Sequence, residues 1–593
     1  MLLGAMMTIA SVSSCDLTET MQVDADKAMI FGSDAGLEAY SYSLYTMLPS
    51  LKGFCKQESG KADYVSCAAM NSFFINGAYT AETSTSWSWS NLHTINYYID
   101  GLNSDLCTVD EATRNHYLGI GRWFRAYFYF DKLKTYGEVP WFDHEIQNYE
   151  RDYMYKDRDS RDVIIENIID DLDFAFKYIK TTSSVGNSLI SKYAAAAFKS
   201  RVCLFEASFR KYHGITGKKY SVADLYKQAA DAANLVISSG VYKLNTTPGS
   251  KGAYRELFYN EEPNTDETIL AMCANEGAGI FSEANWFFNS GSYGNRLSAS
   301  RAFVFTFLMK DGKPFTSKSD YTLVQFSDEF TNRDERLAQI FRGPSYQMDG
   351  KSVVPDIATM VAKTGYHVIK FSLDLKSKDN GANNPSSAPL IRYAEVLLNY
   401  AEAKAELGTI TDKDWVMTVA ALRSRAGVNG GTSLPTVVDP YMQQTFYPDV
   451  TNATIMEIRR ERAIELFLEG YRMDDLRRWK AGRLFEDLPW TGIHIPALNT
   501  PIDINNDGND DYYFSTSKVD NSSAHKNIWI TVNDQPEGLW AVQNSKGGYD
   551  LEHRTVDGRK WYEDDRQYLY PIPAKVIRDY AAEGYKMTQN PKW

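Results

Sequence analysis

Three carboxylates recur at helical spacing late in the chain: Glu461, Glu465 and Glu469 stand at i, i+4 and i+8. That spacing sets them on one stripe of a helix, with Arg462 and Arg472 beside it. Paired carboxylates can act as general acid and base on a glycosidic bond. Like charges at i, i+4 also destabilise a helix unless each meets a cation, and Arg459, Arg460, Arg477 and Arg478 are close in sequence to supply them. The flanking Ala463, Ile464, Leu466, Phe467 and Leu468 are apolar, so part of the stripe is buried and must be ion-paired. The pattern therefore reads as architecture. HExxH, GxSxG and GxxxxGK[ST] do not occur, and the 8 histidines are scattered.

The run from Asp503 to Asp511 (DINNDGNDD) fits D-x-[DN]-x-[DN]-G, the opening of a calcium loop. Asp503, Asn505, Asp507, Asn509 and Asp511 are its candidate ligands, and a bound calcium would stiffen the loop. Position 12 is Phe514, where a bidentate Glu would be expected. A solvated Asn/Asp turn is the alternative.

Aromatic residues are abundant, at 12 Trp, 39 Tyr and 29 Phe. A pyranose presents an apolar C–H face on which Trp or Tyr can stack, while Asn, Arg or Asp bond its hydroxyls. Two loop segments have this make-up. Residues 83–91 (TSTSWSWSN) place Trp87, Trp89 and Asn91 among small polar residues, and residues 283–296 (EANWFFNSGSYGNR) hold Asn285, Trp286, Tyr293 and Arg296. These are the candidate ligand contacts. Trp123, Trp141 and Trp479 fall inside scaffold motifs and are assigned to packing.

Positioning these groups requires a large core, and 593 residues with 44% hydrophobic content provide one. The net charge of −13 argues against nucleic acid as the main partner. After the N-terminus no run of 18 apolar residues marks a membrane-spanning helix. Residues 1–14 (MLLGAMMTIASVSS) form a short apolar stretch before Cys15, and Val12-Ser13-Ser14-Cys15 resembles a bacterial lipobox. Cleavage there would leave Cys15 as a lipidated N-terminus. No Lys or Arg precedes it, which a start upstream of Met1 would explain. Cys55, Cys67, Cys107, Cys203 and Cys273 lack zinc-ligand spacing and read as buried free thiols, with room for one disulfide among the first three.

Helical periodicity dominates several blocks. In residues 391–407, Ala394, Leu397, Leu398, Ala401 and Ala405 share one face, while Glu395, Glu402 and Glu406 lie on another. Helix–turn–helix units are expected near 115–179, 192–238, 391–427 and 455–479. Their alanine-rich pairs resemble tetratricopeptide repeats. Ligand-loop regions are expected near 55–100, 245–390 and 485–565, where periodicity is weak. The fold class is mainly α, a repeat-like helical scaffold with long irregular loops and a few short strands.

Four stretches together resemble the SusD/RagB-like outer-membrane lipoproteins of Bacteroidetes. They are residues 122–142 (RWFRAYFYFDKLKTYGEVPWF), 389–407 (PLIRYAEVLLNYAEAKAEL), 458–479 (IRRERAIELFLEGYRMDDLRRW) and the ending YLYPIPAKVI…QNPKW, with Lys592 where Gly is usual. The resemblance implies one SusD-like domain over 15–593 after a signal peptide at 1–14. It implies a cell-surface lipoprotein, not an enzyme, that captures an oligosaccharide and delivers it to a SusC-like TonB-dependent barrel as its lid. Peptide capture is the alternative within that class. A surface glycosidase using Asp510, Asp511 or Glu283, and a pure protein scaffold, are the alternatives outside it.

Overall fold

Side-chain oxygens open the long helices, because the first backbone N–H groups of a helix have no acceptor within it. In the computed structural model, which describes residues 27–181, 186–359, 361–517, 528–533, 538–554, 556 and 558–593, Asp110 accepts from Thr113 N and Ser160 from Val163 N. Ser191 accepts from Ala194 N, and Ser221 forms a reciprocal capping box with Asp224. The lipobox and Cys15 lie outside the described residues. The scaffold helices are α1 (Ser90–Leu102), α2 (Glu111–Tyr136), α3 (Arg161–Tyr178), α4 (Lys192–His213), α5 (Val222–Ile237), α6 (Tyr393–Glu406), α7 (Ala453–Glu465) and α8 (Arg472–Arg478). Gly214 ends α4 at φ 68°, a left-handed conformation that glycine adopts without steric cost.

Each scaffold helix packs on the next from α1 through α7, and α8 returns against α4. This makes the molecule predominantly helical, with tetratricopeptide-like stacked pairs. Alanines permit the close approaches: Ala194, Ala195, Ala196 and Ala197 of α4 are all buried, as are Ala229 and Ala233 of α5 and Ala394 and Ala401 of α6. Trp123, Trp141 and Trp479 are buried too. The five cysteines among the described residues are free, and burial pushes the Cys55, Cys67 and Cys203 thiols up to about 12.

The face of α6 that carries Glu395 and Glu402 is buried as thoroughly as its alanine face. Glu395 accepts from Arg201 at 2.6 and 2.7 Å. Glu402 accepts from Arg478 and, at 2.8 Å, from the Trp479 indole. Glu406 accepts from Lys211 and Tyr212. The helix lies between two neighbours, so its charges are neutralised by partners from α4 and α8.

The helix expected over 455–479 breaks at residues 466–471, so only Glu461 and Glu465 stand on α7 and Glu469 lies in the turn that follows; all three are buried and paired, but by other cations than those nearest in sequence. Glu461 accepts from Arg336 and from Arg423 at 2.9 Å. Glu465 receives Arg336 at 2.8 Å, Arg392 and Arg425. Glu469 receives Lys370 at 2.7 Å and Arg392 at 2.7 and 2.8 Å. The sequence-adjacent arginines are committed elsewhere: Arg460 to Asp439, Arg462 to Asp475, Arg472 to Asp63 and Arg478 to Glu402.

Strand pairing delivers two members of this cluster. β1 (Thr268–Met272) runs antiparallel to β2 (Ala388–Arg392) with Thr268 opposite Arg392. That register sets Glu267, just before β1, 3.0 Å from the Arg392 guanidinium. Burial alone would raise the Glu465 carboxyl, but Arg425, Arg392 and Arg336 outweigh it and hold it well below the usual range. Further on, β3 (Thr491–Ile495), β4 (Leu539–Gln543) and β5 (Tyr549–His553) form an antiparallel sheet with β5 central.

Replacing Glu465 by Gln removes the charge shared by three buried guanidinium groups. Denaturant unfolding should show a loss of about 3 to 5 kcal/mol, whereas Asp231→Ala, which breaks the exposed Lys227–Asp231 pair, should cost under about 1 kcal/mol. A second prediction concerns Glu58, which accepts from Gly470 N at 2.8 Å, Arg472 N at 3.1 Å and the Tyr64 hydroxyl. Burial raises its carboxyl to about 7 from 4.5 despite those bonds. The folded protein therefore holds a proton that the unfolded chain has released, and stability falls as pH rises through that window. Between pH 5 and 8 the wild type should lose about 1 to 3 kcal/mol more than Glu58→Gln. Parallel pH curves for the two proteins would refute the assignment.

Candidate functional site

The helical face of α2 at Phe124, Tyr127, Phe128 and Asp131 repeats every three to four residues, so these side chains stand over one another. They form one wall of a cavity of about 420 Å³, with Lys132 and Lys134 beside them. Ser88 and Asn91 close it from the segment that opens α1, and Gln57, Gly470 and Tyr471 from the turns next to α8. Trp89 stands on this segment with its ring centre 5.6 Å from that of Phe128, and Trp87 meets Trp89 edge-on at 5.3 Å. Both indoles are only partly buried. Trp89 also packs on Phe142, and Trp87 on Tyr136, so core rings fix the orientation of the pair.

The charges of this wall are not all spent on the protein. Lys134 is paired with Asp474 at 2.7 Å and Arg201 with Glu395. Lys132, by contrast, stands among rings, with its ammonium 5.2 Å from the Phe128 ring and 5.7 Å from Trp89, and feels the charge of Asp131 without pairing to it. Among the described residues neither Lys132 nor Asp131 makes a side-chain hydrogen bond or ion pair, and burial pushes the Lys132 ammonium down. An aromatic wall with an unspent donor, an unspent acceptor and the exposed Asn91 amide can hold a flat polyhydroxylated ligand.

The second predicted segment forms a separate ring platform. Trp286 and Tyr293 stack with centres 3.6 Å apart and planes at 14°. Lys56 sits 5.1 Å over Tyr293, donates to its hydroxyl at 2.7 Å and pairs with Glu283. Tyr293 in turn donates to Glu283 at 2.6 Å. Arg296, at φ 52°, donates to Gly291 O at 3.1 Å and holds the loop closed.

Asn285 does not reach this surface. Its side-chain amide donates to Leu373 O and Asp379 and accepts from Leu373 N and Asn384, which uses both donors and both acceptor positions. It is fully buried, so it braces the loop instead of facing solvent. The sequence reading missed Tyr127, Phe128, Asp131 and Lys132. All four lie in a motif that reads as scaffold, and their only signal is the pair of adjacent charges in an otherwise aromatic helix.

The 503–511 loop shapes itself largely with its own side chains. Asp503 accepts from Asp507 N at 3.1 Å and Gly508 N at 2.7 Å, Asn505 from Asp507 N, and Asp507 from Asn509 N. Asp511 accepts from Ile504 N at 3.0 Å. Among the described residues no group of three or more His, Cys, Asp or Glu side chains converges on a metal position.

Comparison with known proteins bears on the family and the fold. Residues 267–593 match the sequence profile described as the SusD family. SusD-like protein P38 of Formosa agariphila is 26% identical over 427 residues, 68% of this chain and 74% of that protein. SusD-like protein P2 of the same organism is 24% identical over 390 residues, covering 64% and 68%. A crystallised SusD-like protein from Bacteroides fragilis superposes with a TM-score of 0.65 at 20% identity, over 96% of this chain and 99% of that one. A SusD-like carbohydrate binding protein from the same species gives 0.65 at 20% identity, over 93% and 99%. With a profile match over more than half its length and the same scaffold throughout, the chain belongs to the SusD family, whose members bind their ligands without catalysis.

Proposed function

We propose that this protein captures an oligosaccharide at the cell surface and delivers it to a SusC-like TonB-dependent outer-membrane barrel, over which it closes as a lid. Lipid on Cys15 would hold it to the outer membrane. Among the described residues no helix is long and apolar enough to cross a membrane, and several acyl chains on one terminus suffice for stable anchoring.

The observation that carries this reading is the α2 cavity, lined by Phe128, an unpaired lysine, an unpaired aspartate and an exposed asparagine, with a partly buried Trp pair packed beside Phe128. Apolar ring faces suit the C–H face of a pyranose, and the free polar groups suit its hydroxyls. Family membership supports the same class of ligand, and one solved relative is described as carbohydrate binding. The Trp286–Tyr293 stack offers a second contact for a ligand longer than one sugar. The site is open, so affinity is modest, and modest affinity is what release into a transporter requires.

The test is an array of polysaccharides and peptides probed with the chain that begins after Cys15. A polysaccharide should bind, and Trp89→Ala should weaken it about 10- to 100-fold with the thermal melt still cooperative. Lys132→Met should weaken it about 3- to 10-fold, the usual range for one hydrogen bond. Binding to peptides alone would replace this reading with peptide capture. Release of shorter products from an incubated glycan would overturn a binding-only role.

A further inference from the structure

A second cavity, of about 680 Å³, opens beside α7 and α8, and its wall contains a cation that the protein leaves unpaired. Arg459 of α7 is 2% exposed. Its guanidinium stands 4.6 Å from the Trp479 ring centre, 5.0 Å from Tyr212 and 5.1 Å from Tyr447. These rings meet the guanidinium through their π-systems and supply no acceptor to its N–H edge. Their polar ends are already engaged: Tyr212 donates to Glu406 at 2.7 Å, Trp479 to Glu402 at 2.8 Å, and Tyr447 accepts from Arg472 at 3.0 Å. Among the described residues Arg459 has no hydrogen bond or ion pair, and its buried Nε and Nη2 are both without acceptors. Its neighbours Arg460 and Arg462 are both matched to carboxylates. A buried guanidinium with no anion is costly, and Nη1, the nitrogen not sealed by the rings, is where a carboxylate entering the cavity would meet it.

The rest of the cavity narrows the ligand. Asp449 and Asp487 line it as exposed carboxylates, suited to accept from hydroxyl groups, while Trp479 and Tyr568 are buried in its wall. Lys480 and Arg483 add positive charge, although each already has a partner, Asp565 and Glu563 respectively. A plain anion would be repelled by Asp449 and Asp487, and a neutral sugar would leave Arg459 unmet.

We propose that this cavity is a second sugar site, selective for a uronic acid residue of an acidic glycan, with Arg459 binding the carboxylate. The choice of a sugar rests on the function proposed above; the demand for a carboxylate rests on Arg459 alone.

The test uses sodium glucuronate, glucose and sodium acetate as probes, with ligand-observed magnetic resonance and with crystals of the wild type soaked in each. Glucuronate should bind at least about tenfold more tightly than glucose or acetate, the ratio expected from a charge-assisted hydrogen-bonded pair, and should lie beside Arg459. Arg459→Gln should bring it to the glucose level, and Arg459→Lys should fall between. Trp89→Ala, which disables the α2 cavity, should leave glucuronate binding intact, so failure of the polysaccharide reading and failure of this one are distinguishable. Equal binding of glucuronate and glucose, acetate as strong as glucuronate, or soaked glucuronate located away from Arg459 would each overturn the proposal. The wild-type soak keeps the test decisive should Arg459→Gln not fold.

Discussion

Glu465 is the point through which the fold is tied. One carboxylate on α7 receives guanidinium groups from the segment at Arg336, from the end of β2 at Arg392 and from Arg425. Arg392 and Arg425 then share Glu267, which leads into β1. Taking so many charges out of water is unfavourable unless every one is matched in place. The helices, the two-stranded sheet and the loops between them therefore cannot shift independently. A hydrophobic core alone tolerates sliding, because apolar contacts are non-directional. Bidentate and forked hydrogen bonds do not, and here they fix how the irregular segments meet the stacked helices.

That rigidity explains where the candidate binding groups stand. The α2 cavity is bounded by Tyr471 and Gly470, at the junction of α7 and α8, and by Arg201, whose charge Glu395 neutralises. These walls are held by the ionic cluster and its extensions. The Trp87–Trp89 pair needs no such anchoring, because Phe142, Phe128 and Tyr136 seat its rings. A binding surface built this way offers a ligand pre-placed rings and polar groups, and little ordering entropy is lost on association.

Much of the scaffold is legible in the sequence, because helices announce themselves through local spacing. The Ala394, Leu397, Leu398 and Ala401 face of α6 and the Glu461–Glu465 pair of α7 both follow from a 3.6-residue period, whereas Glu469 reaches the same cluster from the turn after α7. Ion-pair identity does not. The partners of Glu465 lie 129, 73 and 40 residues away, so nearness in sequence pointed to the wrong arginines. The same limit applies to Asn285, whose composition-rich loop suggests ligand contact while four tertiary hydrogen bonds consume its amide. Asn91 carries the same side chain and stays exposed. Nothing local separates the two asparagines; only the long-range placement of Leu373, Asp379 and Asn384 does.

The pairing habit of this molecule gives its exceptions their meaning. Buried guanidinium groups at 336, 392, 423, 425, 462, 472 and 478 all meet carboxylates. Lys132 and Arg459 meet aromatic rings instead, and each lines a cavity. Aromatic faces stabilise a cation by less than a matched carboxylate does when both are desolvated. Arg333, Arg342 and Arg477 are also buried without a carboxylate, but the first two donate to backbone carbonyls and Arg477 lies over Tyr570, whereas Lys132 and Arg459 each stand in a cavity wall. The difference between them is chemical: Lys132 is a point charge with rotatable N–H bonds, suited to hydroxyls at varied angles, whereas Arg459 is a permanently charged guanidinium held in place by three rings, suited to an anion. The two cavities therefore discriminate differently, the first tolerant of sugar type and the second demanding an acid.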